Sequence, residues 1–94
     1  MKDYRPKPID TSSVVLPEEI SELIEKLAEN THDIWSEQRL KDGWTYGTER
    51  DDRLLKHPCL VPYHQLPDSE KVYDRNTAAE TLKCVLAMGF RIVK

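Results

Sequence analysis

The chain has 94 residues, a formal net charge of -3, 38% hydrophobic residues and 33% charged ones. That amounts to one small domain over residues 1–94, without the run of about 18 apolar residues that a membrane span needs. The mild acidity leaves no basic face for DNA or RNA, and Met1–Pro6 has no apolar stretch behind it to act as a secretory signal, so a cytoplasmic protein is expected.

Residues 1–15 form an extended arm with prolines at 6 and 8 and the polar run Thr11-Ser12-Ser13, and Val14-Val15-Leu16 gives it an apolar anchor. Tyr4, Pro6 and Pro8 are expected to dock it on the domain. Pro17 suits the first position of a helix, where its missing N–H costs nothing, and Glu18 and Glu19 suit the positive end of the helix dipole. The apolar positions Ile20, Leu23, Ile24, Leu27, Ala28, Ile34 and Trp35 then recur with helical period, which predicts one long helix ending at Gly43. Trp35 continues that stripe and reads as core. His32 lies near the middle of the helix and is expected to bond to a following loop, with Asn30 and Asp33 in a polar network beside it.

Gly43-Trp44-Thr45-Tyr46-Gly47 alternates aromatic and β-branched residues between glycines, which predicts a short strand with Trp44 and Tyr46 on one face. Residues 48–58 are charged and turn-like. His57–Tyr63 has prolines at 58 and 62 and reads as a buried extended connector. Asp68 or Ser69 can cap a second helical stretch, and Asp74 or Asn76 a further helix bearing Ala78, Ala79, Leu82, Val85 and Leu86. Gly89 ends it, and Phe90-Arg91-Ile92-Val93 alternates as a short strand.

Cys59 and Cys84 are too few for a disulfide scaffold and are expected as reduced, buried thiols. His57, Cys59, His64 and Cys84 fit no zinc spacing, so no metal is expected. With only three glycines there is no P-loop and no G-x-G-x-x-G, and no G-x-S-x-G elbow occurs. A nucleotide site would have to be built from side chains. Trp44 and Tyr46 offer aromatic faces, and Arg39, Arg50, Lys56 and His57 offer cations for an anionic ligand. The charges are unevenly laid out: acid gathers at Glu18, Glu19, Glu22, Glu25 and Glu29, and the cations cluster over residues 39–57.

Several blocks in order resemble the ryanodine receptor repeat, the RyR domain. They are Tyr4-x-Pro6-x-Pro8-Ile9-Asp10-Thr11, Leu27-Ala28-Glu29-Asn30-x-His32-Asp33-x-Trp35, Gly43-Trp44-Thr45-Tyr46-Gly47, Asp51-Asp52, His57-Pro58-Cys59-Leu60-Val61, Leu66-Pro67, Glu80-Thr81-Leu82-Lys83 and Leu86-Ala87-x-Gly89. The resemblance implies a mainly helical α+β fold, with a long first helix and a C-terminal helix packed with a few short antiparallel strands. It implies a ligand-sensing or regulatory binding module of the single-copy prokaryotic type and not an enzyme. In the calcium-release channels, paired repeats associate with adenine nucleotides through a tryptophan of each copy, and the matching residue here is Trp44. An adenine-type nucleotide bound across a homodimer is therefore expected, with no resident cofactor. The alternative is a protein-interaction module without a small ligand, with an exposed apolar patch around Trp44 and Phe90.

Overall fold

The computed structural model describes residues 3–94. It has α-helices α1 (Glu18–Ser21), α2 (Ile24–Lys41) and α3 (Asp68–Ala87), two-residue strands β1 (Thr45–Tyr46) and β2 (Lys56–His57), and a 3-10 turn at Tyr63–Gln65. α2 packs chiefly against α3. The mainly helical α+β class expected from the sequence is the one observed.

The long first helix is interrupted at Glu22–Leu23. The Leu23 N–H bonds the Ile20 carbonyl three residues back, at 3.0 Å. This one tight step shifts the hydrogen-bond ladder, so α1 becomes a one-turn prelude to α2. α2 ends as the glycine predicts. Gly43 has φ +94°, its N–H bonds the Leu40 carbonyl, and the Trp44 N–H bonds the Arg39 carbonyl at 3.0 Å. This pair of bonds is a Schellman motif, which folds the residue after the glycine back over the last helical turn. α3 ends the same way at Gly89, φ +93°. It is one continuous helix from Asp68, with Pro67 at its N-cap, so neither Asp74 nor Asn76 starts a separate helix.

The strands correct an expectation. β1 and β2 pair in parallel, Thr45 with Lys56 and Tyr46 with His57, not antiparallel. The cause lies in the connection. Asp51 and Lys56 exchange both backbone hydrogen bonds at 2.9 Å, and Leu55 takes φ +56° to close that turn. The chain thus reverses twice between β1 and β2 and regains its first direction. Phe90–Val93 forms no strand, and Phe90 is 65% exposed. The only sheet among the described residues is the two-residue pair, and nothing pairs the C-terminal segment with it.

The core is small. Ala28, Tyr63 and Leu66 form its centre, with Cys59 and Val61 packed against it. Ala28 on α2 and Ala78 on α3 are both buried, and such small side chains let two helices approach closely. Ile34 departs from the predicted stripe and is 62% exposed. Asn30 and Asp33 are exposed and form no side-chain network. His32 behaves as expected: it is buried, and its Nε2 bonds the Val61 carbonyl at 2.7 Å. Both cysteines are free and half-buried. The His57–Tyr63 connector is half-buried for most of its length. Tyr4, Pro6 and Pro8 are exposed, though Pro8 lines a groove with Thr81, Cys84 and Val85 of α3. Buried Thr11 docks the arm, donating from Oγ1 to Glu80 Oε2 on α3 at 2.6 Å.

Candidate functional site

A cleft of about 270 Å³ opens between α2 and α3 beside β2, lined by His32, Trp35 and Arg39 of α2, by Arg50, His57, Cys59 and Leu66, and by Glu70, Tyr73 and Asp74 of α3. The spacing explains the walls. Residues 32, 35 and 39 recur at helical intervals on α2, and 70, 73 and 74 share one face of α3. The cleft is close to the small end of ligand pockets, about 300–1,000 Å³.

The α2 wall is aromatic and cationic. Arg39 lies over both indoles, 5.4 Å from the Trp35 ring centre and 4.8 Å from that of Trp44. The Schellman turn makes this possible, because it lays Trp44 back on the helical turn that carries Arg39. Arg50 stands over the Trp44 ring as well, at 5.9 Å. His57 packs edge-on to Trp35 at 4.9 Å and to Trp44 at 6.1 Å. Its Nδ1 accepts the Cys59 N–H at 3.1 Å, which leaves Nε2 to carry the proton of the neutral ring. Burial first, then the charges of Arg50 and Arg39, pull the imidazole below its ordinary pKa. His57 is therefore a neutral donor at pH 7, and the positive charge of this wall belongs to the arginines.

The α3 wall is acidic. Burial raises the Asp74 carboxyl; nearby His32 opposes that shift and Glu70 adds to it. His32 Nδ1 lies 4.0 Å from Asp74 Oδ2, so the imidazole ties this wall to the Val61 carbonyl. Cys59 sits at the base of the cleft. Burial, then Glu70 and Asp74, push its thiol upward, which disfavours a nucleophilic thiolate.

Of the six residues expected at the site, the structure brings Arg39, Arg50 and His57 to the cleft and sets Trp44 directly behind the two guanidiniums. Trp44 is 8% exposed and presents no open face. Tyr46 and Lys56 lie elsewhere. Tyr46 lines a separate apolar groove with Leu40, Leu60 and Val61. Lys56 donates from Nζ to Thr45 Oγ1 at 2.8 Å. Sequence reasoning assigned Trp35 to the core, yet it is half-buried and lines the cleft. It also passed over Glu70, Tyr73 and Asp74. Their shared helical face was the available signal, but it becomes informative only once α3 is continuous through Asp74.

The model of one protein family, the RyR domain, matches residues 4–94. That span takes in the arm from Tyr4 onward, both long helices and every residue of the cleft. The chain belongs to the RyR domain family, whose members point to a regulatory or binding module.

Proposed function

We propose that the α2–α3 cleft binds an adenine-type nucleotide and that the domain senses this ligand without catalysis. One observation carries the reading: two guanidiniums stand on the same wall as the half-buried Trp35 indole, opposite a carboxylate-bearing helix. A flat base suits Trp35, with Tyr73 on the facing helix. Phosphates suit Arg39 and Arg50, and Arg50 is exposed at the mouth. Glu70 and Asp74 can accept hydrogen bonds from an amino group or ribose hydroxyls. The raised Cys59 pKa and the neutral His57 favour binding over nucleophilic chemistry.

Titration with ATP, ADP-ribose and cyclic nucleotides, followed by tryptophan fluorescence and thermal shift, tests this. Saturable quenching with a raised Tm is expected for at least one of them, and Arg39→Ala should weaken it about tenfold. A chain that responds to none at millimolar concentration is not a nucleotide sensor. Pairing of two copies rests on the family resemblance. Sedimentation with and without nucleotide checks it, with a dimer expected in the bound state.

A second reading, a protein-interaction module with no small ligand, draws on the groove beside β1. Leu40 is 57% exposed and Tyr46 53%. The buried Trp44 leaves that reading without the Trp44–Phe90 patch first expected of it. It requires that Leu40→Glu abolish a partner complex while leaving the cleft unaffected.

A further inference from the structure

The two arginines of the cleft are not equally available. Arg39 is flanked by Trp35 and Trp44 and forms no ion pair with a carboxylate among the described residues. Arg50 is engaged. Its Nε donates to Asp52 Oδ1 at 2.7 Å and its Nη2 to Oδ2 at 3.4 Å.

The fold has no other evident use for Asp52. Its neighbour Asp51 holds the loop: Oδ1 accepts the backbone N–H groups of Arg53 and Leu54, each at 3.0 Å. Among the described residues, the Asp52 carboxylate bonds only Arg50. It also lies in the field of the whole cationic wall. The Arg50 hydrogen bond first, then the charges of Arg50 and Arg39, keep its carboxyl below the usual range. An exposed carboxylate in that position does what an incoming phosphate would do: it satisfies the fork of Arg50.

Building on the nucleotide reading above, we propose that Asp52 is an internal competitor for the anion, occupying Arg50 until a ligand phosphate displaces it. One phosphate can engage the open Arg39 alone. A ligand with two or more phosphates can also take Arg50, because its second anionic group offsets the loss of the Arg50–Asp52 pair. The cleft thus favours nucleoside di- and triphosphates over monophosphates, and Asp52 sets the threshold. The pair is exposed, with side chains 55% and 69% accessible, so exchange is possible without unfolding the loop.

Isothermal titration of AMP, ATP and inorganic tripolyphosphate against the wild type and Asp52→Asn tests the assignment. Asp52→Ser serves as a second neutral variant, and unchanged thermal unfolding shows that Asp51 still holds the loop. The neutral variants should bind ATP and tripolyphosphate roughly fivefold more tightly, as expected for removing one exposed competing pair, with AMP nearly unchanged. In an Arg50→Gln background the same change at Asp52 should have no effect. Binding that appears only in the neutral variants also supports the competitor. Equal tightening for AMP overturns it, as does tightening that persists without Arg50. If the wild type binds ATP but ignores changes at Asp52, the competitor falls and the nucleotide reading stands. If no variant binds ATP or tripolyphosphate, both fall.

Discussion

Arg39 makes the two tryptophans chemically different. Its guanidinium is 4.8 Å from the Trp44 ring and 5.4 Å from the Trp35 ring, but only Trp35 lines the cleft. Trp44 acts as a backing plate: buried, rigid and held by the turn at Gly43, it fixes where the charge of Arg39 stands. Trp35 has Arg39 over its ring, His32 stacked on it at 5.7 Å and His57 edge-on at 4.9 Å, and still lines the cleft. A fluorescence signal from a bound base should therefore reside in Trp35. Trp35→Phe is expected to abolish nucleotide quenching, while Trp44→Phe retains most of it. Affinity in Trp44→Phe should fall about threefold to tenfold, because Arg39 loses its better cation–π partner. Steady-state titration of the two single-tryptophan variants decides it. Quenching confined to Trp44 would mean that the base does not enter between α2 and α3.

At the scale of elements, the legible features were those with local causes. Pro17, the helical stripe and the glycines at 43 and 89 placed the helix ends, because caps and Schellman turns are decided within a few residues. Strand direction was not legible. Alternation in Gly43–Gly47 announces an extended segment but not the sense in which another segment runs beside it. That sense depends on the double reversal at Asp51–Lys56, where Leu55 takes a positive φ that its side chain does not advertise. The parallel pairing also explains Gly47. A Cβ there would stand 2.6 Å from Lys56 Cβ, too close for any real contact. Gly47→Ala should push β1 and β2 apart and cost about 1–3 kcal/mol, read as a lower urea midpoint. Lys56 contributes to the fold through this packing and its Thr45 bond. That is the physical reason it stands apart from the cations of the cleft.

At the scale of the molecule, the acid at Glu18, Glu19, Glu22, Glu25 and Glu29 and the cations over 39–57 were plain in the sequence, but the ties between elements were not, because their partners are distant in the chain. Glu25 shows the point. It lies among the acidic residues of the first half, yet it joins α2 to α3: Arg75 donates from Nε and Nη2 at 2.7 and 2.8 Å, and the Tyr63 hydroxyl donates at 2.8 Å. With so small a buried core, such ties between helices carry weight in holding the cleft walls in register. The Arg75 hydrogen bonds first, then the Tyr63 hydroxyl, lower the Glu25 carboxyl from 4.5 to about 2. A carboxylate whose pKa is depressed in the fold stabilises it fully above the unfolded value, and that stabilisation is lost as pH falls through the folded one. Thermal unfolding between pH 6 and pH 2 should therefore show a Tm that declines from about pH 4.5 downward. Part of that decline should disappear in Glu25→Gln. The group is exposed, so 1 M salt should flatten the Glu25 part of the limb as well. An acid limb that is identical in the wild type and Glu25→Gln would show that the clamp contributes nothing to the fold, and that the other α2–α3 contacts keep the helices together.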